Sequence, residues 1–265
     1  MTTFHTIASS SSGNASLLVS GETRLLIDMG VSCRRLCQAL ASLGLTPGDL
    51  TAVLITHEHS DHISGLATYI KKYATPIICS PGTSRQLSYR LAGVDSLLRS
   101  APLGTSLPVG AITVTLLPTS HDCGQGTAYH LATPDGAVGI LTDTGYILEE
   151  TGRRLLGSDL LVLESNHDAE LLQAGPYPYA LKQRVLGDFG HLSNAAAAQY
   201  AAASARAGTH TILLAHLSQE NNRPQLALET ASAALEEAGW TGRLAVAPRD
   251  SLSEACILEK TPCRE

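Results

Sequence analysis

Within six residues, His57-Glu58-His59-Ser60-Asp61-His62, the chain places three imidazoles and two carboxylates. Imidazole nitrogens and carboxylate oxygens are the ligands that divalent transition metals take from proteins. Side chains of an extended chain alternate between faces, so His57, His59 and Asp61 are expected to point the same way. A turn into a following helix would swing His62 to a neighbouring position. Two adjacent ligand clusters result, suited to two cations roughly 3.5–4 Å apart, as in two-metal hydrolases. Histidines that merely sit exposed near a helix start would explain a pair at this spacing, but not the full H-x-H-x-D-H pattern.

A two-metal site needs more ligands, and each further candidate directly follows an apolar run. His121 follows residues 112–118, Asp143 follows 138–142 and His216 follows 211–215. Taken singly each has an ordinary explanation, since an Asp in Thr142-Asp143-Thr144-Gly145 is a common turn former. Taken together they are coherent, because the ends of strands converge on one rim of a sheet. A bound divalent ion lowers the pKa of water from ~15.7 towards ~7. Hydroxide is then available to attack a phosphodiester at neutral pH. These ligand types suit Zn²⁺ and Mn²⁺, and Fe as well.

His191 is the sharpest residue outside that set. Gly190-His191-Leu192-Ser193-Asn194 opens an alanine-rich segment that reads as a helix, so His191 precedes a helix N-terminus, where anions are favoured. With Ser193 and Asn194 it is a candidate for holding a phosphate, and a protonated imidazole could pass a proton to the leaving oxygen. The plain alternative is helix capping, for which Ser193 or Asn194 is the better residue type. Asp61 and Asp143 are the other residues expected to serve catalysis. Glu164 and His167 follow a strand in residues 163–168, and orienting a metal ligand is one role open to them. His5, His130 and His210 lie in or at strand-like segments and read as structural. Lys182, Arg184 and Arg223 could meet a nucleic-acid backbone, though solubilising charge is the default.

The elements that must position these side chains alternate. Strands are expected at residues 2–8, 15–19 and 24–28, with Ser9–Gly13 as a turn between the first two. A helix is expected over 32–43. Residues 50–56 read as a buried strand leading into the ligand loop, and 63–73 as a helix leaving it. Further strands are expected at 76–79, 111–117, 127–133, 137–142, 159–164, 210–215 and 243–247. Helices are expected at 82–92, 194–207 and 224–238. Hairpin-like runs mixed with strands between helices suit a pair of mixed sheets flanked by helices. No strong internal repeat is evident.

With 265 residues and no shift in composition, one compact domain is expected. No apolar run reaches membrane-spanning length and the N-terminus lacks a basic-then-apolar leader, so no membrane partner and a cytoplasmic location are expected. The six cysteines, at 33, 37, 79, 123, 256 and 263, contain no C-x-x-C pair and are expected to be reduced thiols. The net charge of −6, without a block of Lys or Arg, argues against a broad basic face for nucleic acid. It does not exclude a phosphodiester substrate, because two cations would make the pocket itself electropositive.

The chain resembles metallo-β-lactamase superfamily hydrolases, whose fold is an α/β (α+β) four-layer αββα sandwich in a single domain. The resemblance implies that His57, His59 and His121 hold one metal and Asp61, His62 and His216 a second, with Asp143 bridging. Ile27-Asp28-Met29-Gly30 resembles the family's I-D-x-G signature, in which the Asp supports the site. A closer resemblance is to the YycJ/WalJ-like exonuclease subgroup. It rests on Ser11-Ser12-Gly13-Asn14, Thr56 to His62, Ser120-His121-Asp122, Thr142 to Tyr146, Leu163 to Asp168, Gly175 to Pro178, Gly190 to Asn194 and Ala215 to Asn222. That implies a 5′-to-3′ DNA exonuclease acting on DNA ends, with two divalent ions and a bridging hydroxide. A Gly-His-Ser/Thr element also precedes a helix in the superfamily's transfer-RNA 3′-processing nucleases, which favours phosphate chemistry. The interval from Asp143 to His216 is too short for the large inserted clamp domain of some relatives. Small-molecule hydrolases of thioesters, lactones or cyclic phosphodiesters share the ligands, as would a non-catalytic metal-binding regulator.

Overall fold

The computed structural model describes residues 1–258. Its first half builds one sheet from β1 (Thr2–Ala8), β2 (Ala15–Ser20), β3 (Thr23–Ile27), β4 (Ala52–Leu54), β5 (Ile77–Cys79) and β6 (Leu98–Ser100). The second half builds another from β7 (Ser106–Val109), β8 (Ile112–Pro118), β9 (Thr127–Thr133), β10 (Gly136–Leu141), β11 (Leu160–Glu164), β12 (Thr211–Ala215) and β13 (Arg243–Val246). A last strand, β14 (Cys256–Leu258), returns to pair antiparallel with β1 and completes the first sheet. The expected strands are present within a residue or so at each end, apart from the one leading into the ligand loop, which shortens to β4. The short strands β6, β7 and β14, with apolar stretches too brief to stand out, escaped the sequence reading.

The two sheets repeat one pattern. β1, β2 and β3 are antiparallel neighbours, and β3, β4, β5 and β6 run parallel. Likewise β8, β9 and β10 are antiparallel, and β10, β11, β12 and β13 run parallel. Parallel strands need crossovers, and helices supply them on the outer faces. α1 (Cys33–Ser42), α2 (Ser60–Ile63), α3 (Leu66–Tyr69) and α4 (Pro81–Arg90) belong to the first half. α5 (Glu149–Leu155), α6 (Ala169–Ala174), α7 (Tyr179–Leu186), α8 (Asn194–Arg206) and α9 (Pro224–Glu237) belong to the second.

Both faces of each sheet are covered, which is why several strands are apolar at every position. On β11, Leu160 and Val162 enter the core between the sheets, while Leu161 and Leu163 pack outward with Ala197 and Ala201 of α8. On β3, Leu25 and Ile27 face the other sheet and Leu26 packs with Leu36 and Leu40 of α1. The small alanines of α8 let it lie close to its sheet.

The helix expected over 63–73 is instead broken into α2 and α3. Gly65 lies between them with its N–H donating to the Met29 carbonyl at 3.0 Å. A Cβ there would sit 2.0 Å from the Val31 carbonyl oxygen. The close crossing of the chain over the Asp28 loop thus interrupts the helix. Five cysteines lie among the described residues and all are free; Cys263 lies outside them. Among the described residues no helix is long and apolar enough to cross a membrane.

Candidate metal centre and cleft

The carboxyl ends of strands in both sheets bring the site together. β4 delivers the loop of His57 to His62, β8 leads to His121, β10 to Asp143, β11 ends on Glu164 and β12 leads to His216. Asp28 follows β3 in the position that Asp143 holds after β10. Asp28, Asp143 and His216 have φ of 58°, 57° and 58°, and they are the non-glycine residues with left-handed backbone among those described. Such conformations cost about 1–3 kcal/mol each and collect at functional sites. Each turns a side chain sharply off the end of a strand.

The ligand atoms converge. His59 Nδ1 and His121 Nε2 are 3.2 Å apart, with His57 beside them. Asp61 Oδ2 lies 3.3 Å from both His62 Nε2 and His216 Nε2. Asp143 stands between the groups, Oδ2 at 3.3 Å from His62 Nε2 and Oδ1 at 3.5 Å from His216 Nε2 and 3.9 Å from His121 Nε2. All seven expected ligands are therefore gathered. Their arrangement differs from the extended-chain expectation in one respect: Asp61 does not share a face with His57 and His59. It lies in the first turn of α2, beside His62 and His216, because helix begins at Ser60.

Two observations show that these residues suit a divalent ion. Spacings of 3.2–3.5 Å are the edges of a tetrahedron whose corners lie about 2.0–2.1 Å from its centre, the length of a Zn–N bond. Among the described residues His57 Nε2 and Asp143 Oδ2 are buried without a hydrogen-bond partner, a costly state unless a cation takes the lone pairs.

A second ring of groups aims the first. Asp28 Oδ2 accepts the His62 Nδ1 proton at 2.8 Å, leaving Nε2 for the centre. The His121 Nδ1–H donates to the Gly190 carbonyl at 3.1 Å. Thr56 Oγ1 donates to Asp28 and can therefore accept from His57 Nδ1, at 3.1 Å. Glu164 accepts four hydrogen bonds: His191 Nδ1 at 2.8 Å, His216 Nδ1 at 2.9 Å, Thr144 N at 3.0 Å and Leu192 N at 3.1 Å. Asp28 and Glu164 thus stand behind the imidazoles of His62 and of His191 and His216. Residue-level reading took Ser9 to Gly13 for a simple turn, yet Ser9 Oγ accepts the His216 N–H at 2.8 Å and Asn14 N donates to the Asp61 carbonyl at 2.8 Å. The family-like Ser-Ser-Gly-Asn motif was the available signal there. Thr56 and Glu58, whose Oε1 accepts Gly124 N at 2.7 Å, carried no signal of their own beyond the loop they belong to.

The two ligand groups differ electrostatically. Burial, then the neighbouring imidazoles, pushes His57 well below the ordinary imidazole pKa; burial also lowers His59. Their lone pairs are free. At His216 burial opposes protonation, but Asp143, Asp61 and Glu164 outweigh it and lift the pKa to about 10. His62 is raised in the same way against burial by Asp143 and Asp28. Carboxylates thus make this side the more anionic, and a cation binding there displaces protons.

His191 sits at the edge, 22% exposed, its ring 5.0 Å from that of His121 and 5.3 Å from that of His216. Three of the other expectations need correction. Ser193 Oγ caps α8, accepting Ala196 N at 3.3 Å. Asn194 is turned inward, its amide bonded to Asn222 and its Oδ1 accepting the Ser165 hydroxyl at 2.6 Å. Neither lines the cleft, because helix capping and a buried amide network consume them. His167 orients no ligand through a hydrogen bond: among the described residues both ring nitrogens are buried without partners, while its backbone carbonyl accepts Asn194 N at 2.8 Å. Beside His121 and His191 opens a cavity of about 280 Å³, whose walls include Arg184, Tyr177 and Phe189. Arg184, read as a surface charge, pairs with Asp122 at 2.6 Å.

Comparison with known proteins agrees with this architecture. The family described as Beta-lactamase superfamily domain matches residues 23–217. The chain is 37% identical over 224 residues to exodeoxyribonuclease WalJ of Streptococcus pneumoniae, covering 83% of each. It is 34% identical over 238 residues to exodeoxyribonuclease YycJ of Bacillus anthracis, covering 89% of this chain and 90% of that protein. Among solved structures, the metallo-β-lactamase fold protein YhfI from Bacillus subtilis superposes with a TM-score of 0.72 at 19% identity, over 95% of this chain and 98% of that one. That last likeness is one of fold.

Proposed function

Because the chain belongs to the β-lactamase superfamily, and within it is similar over most of its length to exodeoxyribonucleases, we propose that it is a metal-dependent nuclease that shortens DNA from a 5′ end. The observation that carries this reading is the convergence of seven ligands on the rim of a cleft, in a chain 34–37% identical to those enzymes. His57, His59 and His121 would hold one divalent ion, Asp61, His62 and His216 a second, with Asp143 between them. When bound, such ions ionise water near neutral pH and offset the charge of a phosphodiester.

The chain's own residues do the rest. Glu164, held by backbone N–H groups of Thr144 and Leu192, keeps the Nδ1 protons of His191 and His216 on their outer sides. His191 Nε2 is thereby left to face the substrate. Burial works against its protonation, but Glu164 and Asp143 raise its pKa above the ordinary value. It can therefore carry a proton on Nε2 and deliver it to the departing sugar oxygen. Asp28 and Thr56 keep His62 and His57 in fixed orientation, so ligand geometry is established before substrate arrives. Neither Lys nor Arg is needed in number, in keeping with the negative net charge.

Purified protein loaded with Mn²⁺ or Zn²⁺ should shorten 5′-labelled DNA progressively and should act poorly on a cyclic nucleotide offered beside it. Absence of cleavage of any DNA or RNA by the fully metallated protein would reject the nuclease assignment. Rapid turnover of the cyclic diester alone would move it to the small-molecule hydrolases of the same fold.

A further inference from the structure

The chain contains two phenylalanines. Phe4 lies in the core between the sheets at 1% exposure; Phe189, immediately before Gly190 and His191, is 64% exposed. This exposure does not come from a loose loop. The Phe189 carbonyl accepts Asp122 N at 3.2 Å, and the preceding carbonyl, of Asp188, accepts the Ser120 hydroxyl at 2.7 Å. On the other side, the Gly190 carbonyl holds His121. A Cβ on Gly190 would lie 2.2 Å from the Val185 oxygen, so backbone packs directly on backbone here. An apolar ring is thus displayed to solvent from main chain pinned against a ligand-bearing loop.

Phe189 shares its cavity with a second aromatic, Tyr177, and with Arg184. Leu181 and Val185 add apolar wall, and Ser11, Ser218 and Asn221 are among its polar groups. Asn221 is 1% exposed, and its Oδ1 is buried without a hydrogen-bond partner among the described residues. That atom lies against Gly175, so Asn221 serves as wall and not as a contact for a bound base. The cavity's 280 Å³ lies just below the usual range of small-ligand pockets, about 300–1,000 Å³, a scale that suits one base better than a stacked duplex end.

Resting on the nuclease reading, we propose that Phe189 stacks on the unpaired base of the terminal nucleotide, beside the phosphodiester to be cut. The strand end enters the cleft unpaired, and a paired end must fray first. Every base has a π-face, so this contact grips the strand without reading sequence.

The test compares wild type, Phe189→Ala and Phe189→Trp on end-labelled DNA whose 5′-terminal nucleotide is normal or abasic, with paired or mismatched ends, alongside metal content. Wild type is expected to lose about 5- to 100-fold in kcat/KM when the terminal base is removed. Phe189→Ala should lose a similar factor on normal DNA, lose nothing further on abasic DNA, and keep its metal. Phe189→Trp should restore sensitivity to the base, and wild type should favour mismatched ends over paired ones. Undiminished sensitivity of Phe189→Ala to base removal, or loss of metal from it, overturns the proposal. Wild type that digests DNA with indifference to its terminal base sinks this inference alone. Wild type that digests no nucleic acid sinks the nuclease reading with it.

Discussion

The two halves of the molecule share one strand pattern but divide the chemistry unequally. In the first, β4 feeds a single loop that carries four ligands within six residues, and α2 begins inside it. In the second, ligands and their supports arrive singly, at the ends of β8, β10, β11 and β12. The contrast is sharpest at Asp28-Met29-Gly30 and Asp143-Thr144-Gly145, a D-x-G in each half, after β3 and β10. Both aspartates have left-handed backbone. Yet Asp28 binds the back of His62, at 2.8 Å from Nδ1, while Asp143 reaches between the ligand groups. Equivalent positions thus differ in placement: one carboxylate lies behind an imidazole and the other among the candidate ligand groups.

Substituting the two aspartates should separate those placements most strongly. Asp143→Asn is expected to lose more activity than the roughly 10²–10⁴-fold that a proton donor supplies, with metal loss seen by elemental analysis. Asp28→Asn should cost about 10–100-fold in metal affinity or rate, as outer partners of metal ligands do. Equal losses would erase the distinction. Chelation should abolish activity in either background, and Mn²⁺ or Zn²⁺ should restore it in wild type.

His191 has no first-half counterpart, so His191→Ala sharpens the comparison further. A loss of about 10²–10⁴-fold with full metal content would place the proton donor in the second half alone. Departure of a metal would instead make His191 part of the ligand group with Asp143 and His216.

The glycines of the two D-x-G segments should fail differently. A Cβ on Gly30 would fall 1.6 Å from the Asp61 carbonyl oxygen, and one on Gly145 would fall 2.3 Å from that of Asp188. Each alanine is expected to destabilise by about 1–3 kcal/mol or more, read from denaturant midpoints. Gly30→Ala should also impair metal retention, because it pushes on the ligand loop. Gly145→Ala should chiefly raise KM for DNA, because it pushes on the segment that bears Phe189. The reverse assignment would break the comparison.

The smallest effect concerns pH. Burial lowers the His167 pKa to about 4 from an ordinary value near 6.5. Its neutral form is favoured in the folded state, so the stability it contributes is present above pH 6.5 and is lost as pH falls towards 4. At most about 3 kcal/mol is involved. Denaturation midpoints of wild type and His167→Leu should therefore converge or cross as the pH is lowered through that window. Parallel curves would show that His167 plays no part in acid sensitivity.

Much of this unequal division was legible in the residues. His57 to His62 stood out because four ligands adjoin in the chain, and apolar runs before His121, Asp143 and His216 marked strand ends. Asn194 turns inward and not to the cleft because an N-terminal helix position says nothing about a partner 28 residues away, Asn222. The shared pattern of the two sheets was invisible, since strand pairing leaves no repeated residues beyond D-x-G. The value of Phe189 was hidden too, because an isolated Phe in a sequence reads as core.

The order of residues alone determined which ligand types were present, that they follow strands, and that both sheets would be covered by helices. Those are consequences of side-chain chemistry and of hydrophobic periodicity, which act over a few neighbours. Tertiary structure alone decided that Glu164 would join His191 to His216, that Asp28 would stand behind His62 while Asp143 stands among the candidate ligands, and that one phenylalanine would face water. Those outcomes depend on contacts between segments far apart in the chain, where the stacking of two sheets, and no local preference, sets the distances.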